Sequence, residues 1–208
     1  MNEYLEKKQV RDQEIERSIQ GKRLRKFLKR LVIIVPVALL LYWLFTLVNK
    51  PQAPLPGQYF QAQSRDHIAI GATHGEYNSN PPTGGWHYET PVQTGIYDQE
   101  FLDEQVVHNL EHGHIWIAYR SDLPRGDIDA LAEIAKSYSS KIIMTLRPNN
   151  PTVISVVAWE YLLNLDSLEK GRVESFIKAH RGKGPELVPD FGFEDFRGKL
   201  TPTPNPSP

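Results

Sequence analysis

The sequence contains no cysteine in 208 residues, and this absence removes several kinds of chemistry at once. Disulfide bonds, thiol nucleophiles, iron–sulfur clusters and cysteine-bound zinc all require cysteine sulfur. A domain of ordinary size buries enough apolar surface to fold without disulfides. Any metal ion bound by this protein must therefore be held largely by nitrogen and oxygen ligands.

Methionine and positive charge are scarce beyond the N-terminal region. Met144 is the only methionine after Met1, so a methionine-rich copper(I) site is not supported. Residues 1–30 carry ten of the 24 Lys and Arg residues but five of the 25 Asp and Glu residues, which leaves a net charge of −6 on residues 31–208. Such a chain lacks the basic patch that binds a phosphate backbone, and we predict no nucleic-acid partner.

Only one long apolar run is present, LVIIVPVALLLYWLFTLV at residues 31–48, with 18 residues and no charge. About 20 such residues span a bilayer, and six Lys and Arg residues lie in the nine positions before the run. By the positive-inside rule, we predict one transmembrane helix with its N-terminus in the cytoplasm. A cleaved signal peptide is the alternative, although the preceding charged segment is long for a signal and no small-x-small cleavage site stands out after Val48.

Composition divides the chain into five regions. We predict a basic cytoplasmic segment at 1–30, a transmembrane anchor at 31–48, a proline-rich linker at 49–58, an extracytoplasmic globular domain at 59–198 and a disordered tail at 199–208.

The globular domain has alternating strand and helix patterns. β-branched and aromatic runs predict strands, and apolar residues at helical spacing predict helices. The strands are predicted at 114–120, 141–147 and 152–159, and the helices at 126–140 and 166–180, the latter opened by an Asp or Ser cap. This order predicts an α/β or α+β fold: a small mixed sheet with helices on one side, its first two strands parallel through a right-handed crossover. A long loop region over 60–100 precedes it.

A polar cluster follows in VHNLEHGHIWI, residues 107–117. A helix over 98–112 ended by Gly113 separates an apolar face from a face carrying His108 and His112, one turn apart. Histidines at this spacing commonly hold one metal ion, and the neighbouring carboxylates of Glu104 and Glu111 can act as ligand, base or orienting group. The alternative is an ordinary polar helix face, since histidine is favoured near helix C-termini.

The loop YNSNPPTGGWHYETP, residues 77–91, supplies a third imidazole, because its prolines and glycines predict a defined shape that presents His87. We predict that His87, His108 and His112 converge to within about 4 Å as metal ligands, with His67 or Glu111 completing or orienting the set. Imidazole and carboxylate ligands without thiolate favour zinc(II) or copper(II). The remaining histidines are interpreted as a strand residue (His114), a helix C-terminal cap (His180) and a loop residue without an obvious partner (His74).

The segments NSNPPTGGWH, VHNLEHGHIWIAY and VVAW resemble an uncharacterised bacterial, membrane-anchored family catalogued as a domain of unknown function. The resemblance covers roughly residues 60–180. That family usually has Ser-Gly-Pro before its loop histidine, where this chain has Gly84, Gly85 and Trp86. Its later motif usually ends Ala-Trp-Gly, where this chain has Ala158, Trp159 and Glu160. The positions that the pattern carries include His67, His87, His108, Glu111 and His112. The resemblance implies a site but no established activity.

Three functions fit the sequence. The first is a membrane-anchored, extracytoplasmic metal-binding module. The second is a metal-dependent hydrolase, because HNLEH fits the H-x-x-E-H arrangement of inverted zinc peptidases with Glu111 as general base. The third is an envelope module that binds a protein or cell-wall partner without metal.

Overall fold

A computed structural model describes residues 11, 22, 26, 29–46, 54–189 and 194–195. The chain forms two compact units, Met1–Ala53 and Pro54–Pro208. In the first unit, helix α1 (Lys29–Thr46) is long and apolar enough to cross a membrane, a property that it shares with signal sequences. Most of the predicted segment 1–30 and the whole predicted tail 199–208 lie outside the described residues.

The second unit is a mixed α/β fold, as the sequence predicts, with helices packed on a sheet. Its described elements are β1 (Gln58–Tyr59), β2 (His67–Ile68), β3 (His87–Tyr88), β4 (Gly95–Ile96), α2 (Asp103–Glu111), β5 (Ile115–Tyr119), α3 (Arg125–Lys136), β6 (Ile142–Leu146), β7 (Ile154–Ala158), β8 (Tyr161–Leu165), α4 (Lys170–His180) and β9 (Glu194–Asp195).

The main sheet has seven strands in the order β1-β8-β7-β5-β6-β4-β9 within the described residues. Strands β5 and β6 are parallel and joined through α3, which confirms the predicted parallel pair. Strand β7 runs antiparallel to β5 and to β8, so the sheet is mixed. Strands β2 and β3 form a separate parallel pair, which carries two of the predicted site histidines.

The helices pack on both faces of the sheet, so the predicted one-sided arrangement holds only for α3 and α4. Ile115 and Ile117 of β5 share a core cluster with residues of α3 and α4. The alternate residues Trp116 and Ala118 share a second cluster with residues of α2. Successive side chains of a strand point to opposite faces, and therefore α2 lies on the other face. Periodicity indicates that a helix has one apolar face but does not select the side of the sheet.

Several boundaries and six strands differ from the sequence prediction. The two-residue strands β1, β2, β3, β4 and β9 were not predicted, and helix α3 ends at Lys136 rather than at residue 140. Helix α2 begins at Asp103 rather than residue 98, because Leu102 before it has extended backbone angles. Helix α4 begins at Lys170, with Glu169 at the cap position instead of Asp or Ser. Strand β8 was not predicted, because its apolar run YLLNL lacks a clear alternation and follows a turn of two residues.

The turn before β8 contains Glu160, which has a left-handed backbone with φ of 64°, a conformation that favours glycine. In this chain the Glu160 carboxylate accepts hydrogen bonds from the Ala62 amide at 3.2 Å and the Tyr59 hydroxyl at 3.4 Å. These bonds tie the turn to the N-terminal edge of the sheet and offset the backbone strain.

The predicted long loop, residues 60–100, is mostly irregular but ordered by its own contacts. Gly85 has φ of 132°, and a Cβ there would lie 2.8 Å from Cε1 of Tyr77. The Tyr77 hydroxyl donates to the Trp86 carbonyl at 2.6 Å. The loop thus has a defined shape that buries His87 completely.

Candidate metal centre

Three histidines from distant parts of the sequence meet beside helix α2. The parallel register of β2 and β3 places His67 opposite His87. Helix α2 packs on β3 and brings His108 to both. One ligand nitrogen from each ring lies within 4.8 Å of the other two, so the triad can hold one metal ion. We refer to these three residues as the histidine triad.

The rings of the triad pack closely against one another. His67 stacks on His108 with ring centres 5.0 Å apart and planes 4° from parallel. His87 meets His67 and His108 edge-on at 4.9 and 5.1 Å. His67 lies at the exposed rim, whereas His87 and His108 are buried. The site is therefore open to solvent on the His67 side.

Backbone carbonyls orient the two buried rings. Nδ1 of His87 lies 2.8 Å from the Gly85 oxygen, and Nδ1 of His108 lies 2.7 Å from the Tyr88 oxygen. A carbonyl only accepts hydrogen bonds, so each Nδ1 carries the proton and donates. This leaves Nε2 of both rings to bind a metal, the arrangement in which a backbone carbonyl fixes the tautomer of a metal-binding histidine.

Glu111 lies within the site and is almost completely buried, with its side chain 2% exposed. Its Oε2 is 3.1 Å from Nε2 of His87, and its Oε1 accepts from Nε of Arg65 at 2.6 Å. Since Nδ1 of His87 already donates to a carbonyl, Nε2 can face a carboxylate only if a cation stands between them. A proton or a metal ion can fill that role.

The same contacts bear on Glu111 as a general base. A base must offer a lone pair to a water molecule near the substrate. Each carboxylate oxygen of Glu111 has one partner, Arg65 or His87, and keeps a further lone pair. The observed contacts give Glu111 a positioning role, in which it orients His87.

His112 is adjacent to the triad and not part of it. Its Nε2 lies 3.1 Å from Nε2 of His108, within the 4 Å that the sequence predicts for that pair. Its imidazole also faces the Glu186 carboxylate, with Oε2 at 3.5 Å. The structure groups His67 with His87 and His108, where the sequence analysis favoured His112 as the third ligand.

Burial favours the neutral form of two imidazoles at the site, His108 and His112. Burial lowers the pKa of His108, and the neighbouring rings of His112, His87 and His67 lower it further, against the opposing hydrogen bond to Tyr88. Burial also lowers the pKa of His112, although Glu186 and Glu111 oppose this effect. A metal ion binds the neutral form of imidazole, so both rings are suited to binding at neutral pH.

Residues 182–188, which we call the strap, cover the C-terminal end of α2. The Gly182 amide donates to the Gly113 carbonyl at 2.8 Å, and the Glu186 amide donates to the Glu111 carbonyl at 3.0 Å. Lys141 donates to the carbonyls of His112 and Val188. Gly113, which ends the helix as predicted, has φ of 78°. The strap brings the Glu186 carboxylate to the site.

Sequence reasoning missed Arg65 and Glu186. Arg65 bridges the two carboxylates: Nε donates to Glu111, and a terminal nitrogen donates to Glu186 at 3.1 Å. Neither residue lies in a motif, since each is a single charged residue in an irregular segment. The glycines of RGKG before Glu186 are the one local signal that the backbone there approaches another segment closely.

The three other histidines make structural contacts. His114 bonds the Asn109 carbonyl at 3.0 Å and the Thr94 hydroxyl at 2.9 Å, in line with its structural interpretation. His180 is the last residue of α4, but its Nε2 donates to the Pro56 carbonyl at 2.8 Å instead of capping its own helix. His74 has a partner that the sequence did not reveal, the Glu104 carboxylate at 3.2 Å.

Comparison with known proteins places a family model over much of the chain. The model, described as "Protein of unknown function (DUF3105)", matches residues 71–190. The matched region contains His87, His108, Glu111 and His112, whereas His67 precedes it. No curated protein and no solved structure matches the chain.

Proposed function

Because the chain belongs to the family "Protein of unknown function (DUF3105)", whose description names no activity, we propose its function from the site itself. The protein binds one divalent metal ion, zinc(II) or copper(II), in an extracytoplasmic domain carried by a single membrane anchor. The ligands are His67, His87 and His108. His112 lies beside the triad without completing it, and Glu111 orients His87.

One observation carries this proposal: the triad nitrogens lie within 4.8 Å of one another. In the two buried rings, Nδ1 donates a hydrogen bond to a backbone carbonyl, which leaves Nε2 with a free lone pair. Neighbouring imidazoles that both present lone pairs gain little from one another without a shared cation. A metal ion at about 2.0–2.1 Å from each nitrogen supplies that cation once the rings close from within 4.8 Å to the spacing of bound ligands, about 3.3 Å. Three imidazoles also leave an open position, as in zinc sites that exchange a ligand.

The membrane part of the proposal rests on α1 and its flank. The described helix has 18 residues and a mean hydropathy of 1.8, and its only charged residues are the first two, Lys29 and Arg30. The basic residues precede it in the sequence, which favours an N-terminus in the cytoplasm and a domain outside. A reporter enzyme that is active only outside the cytoplasm, fused after Pro208, tests the orientation. An inactive fusion that is fully expressed contradicts it.

Zinc titration of the full chain in detergent tests the metal site. We expect one zinc ion to be retained per chain after gel filtration, and a melting temperature that rises with zinc and falls again with chelator. Ligand at 100 times its dissociation constant stabilises the folded state by about 2.7 kcal/mol. Zinc-free protein whose melting temperature responds to neither zinc nor copper contradicts the proposal, and favours the metal-free envelope interaction module.

A further inference from the structure

The Glu186 carboxylate lies beside His112, next to the histidine triad. Its Oε2 lies 3.5 Å from Nε2 of His112, and that nitrogen lies 3.1 Å from Nε2 of His108. Two ligands bound at about 2.0–2.1 Å to one tetrahedral ion are about 3.3 Å apart. Both separations are close to this spacing, and the Glu186 carboxylate thus reaches His108 of the triad through the His112 imidazole.

Glu186 differs from Glu111 in exposure and attachment. The Glu186 side chain is 46% exposed, against 2% for Glu111. Backbone bonds and close packing at Gly184 fix the strap, whereas the carboxylate itself is held by Arg65 and faces His112. The side chain can therefore leave the site by rotation, without movement of the strap backbone.

We propose that the open position of the metal centre takes the carboxylate group of an external ligand, and that Glu186 is the internal occupant of this position. The inference rests on the proposed metal-binding function. The incoming carboxylate displaces the Glu186 side chain, binds the metal with one oxygen and accepts a hydrogen bond from Arg65 with the other. Exchange of one carboxylate for another leaves the charge of the site unchanged, and the guanidinium of Arg65 suits carboxylate geometry.

Acetate binding to the cobalt(II)-loaded full chain in detergent tests this proposal. Cobalt(II) reports changes of its ligands through its visible absorption. We expect acetate to change the spectrum of the wild-type protein, and Glu186→Gln to raise the acetate affinity at least about tenfold, because the internal competitor is removed. Arg65→Gln in the Glu186→Gln background should lower it again by about tenfold.

Glu174→Gln is the matched control, because Glu174 is 44% exposed and pairs with Lys178 in a similar way. Its acetate affinity should equal that of wild type. The N-acetylated dipeptide of glycine distinguishes the source of the carboxylate, and its C-terminal amide, which lacks the carboxylate, should not bind. If the free acid binds more tightly than acetate, the carboxylate belongs to a peptide C-terminus. If the two bind equally, it belongs to a small acid.

Two results separate this inference from the function on which it rests. In the first result, wild type binds cobalt and loses it when the triad is changed, but acetate does not alter the spectrum of wild type or of Glu186→Gln. This result overturns the inference alone. Equal acetate affinity in those two proteins does the same. Absence of cobalt binding to wild type overturns the proposed function and the inference together.

Discussion

Replacing His108 by glutamine is expected to lower the zinc affinity of the full chain by more than about 100-fold, because changes to residues that only orient a ligand already cost about 10–100-fold. His108 contacts both other members of the triad and His112. Its loss removes one of three ligands and leaves His67 without its stacking partner. Competition against a chelator of known zinc affinity measures the effect.

Glu111→Gln and His74→Gln complete this series. Glu111→Gln should weaken zinc binding by about 10–100-fold, because the amide cannot balance charge beside His87. If Glu111 is instead a hydrolytic base, the variant keeps its zinc and loses only a metal-dependent activity. His74→Gln should bind like wild type, since His74 pairs with Glu104 and is not a member of the triad. Equal affinities of all three variants and wild type would exclude the triad as the binding site.

Gly184→Ala is expected to reduce the free energy of unfolding by about 1–3 kcal/mol, the usual cost of inserting an atom into a filled space. A Cβ at Gly184 would lie 2.1 Å from the Glu111 carbonyl oxygen and 2.3 Å from the Gly113 nitrogen. Both neighbours are backbone atoms at the end of α2 and cannot rotate away. The strap must then separate from the helix end, and urea unfolding with limited proteolysis detects both effects.

Gly171→Ala is the control for this change, because a Cβ at Gly171 meets no atom within 4 Å. Gly171 is the second residue of α4, where alanine favours the helix over glycine by less than the roughly 1 kcal/mol of a helix interior. The two identical substitutions should therefore shift stability in opposite directions. A Gly184→Ala protein as stable as wild type would mean that the strap is not packed on α2.

The sequence predicted the elements whose residues carry a regular pattern. Strands β5, β6 and β7 and helices α3 and α4 follow from their apolar periodicity, and Gly113 ends α2 as its position predicts. Strand β8 and the start of α2 were missed, because extended backbone at Leu102 and a two-residue turn at Glu160 leave little trace in local composition. The five strands of two residues, β1 to β4 and β9, were missed because they are too short to show a periodic pattern.

For the site, the sequence by itself determined the chemistry: no cysteine, few methionines, and imidazoles with a carboxylate at helical spacing. Tertiary structure alone decided which of them meet. The register of β2 with β3 brings His67 into the triad, and the strap brings Glu186 to His112 across 74 positions of sequence. Spacing along one helix fixes the distance between its own residues, whereas contacts between separate segments depend on how the whole core packs them.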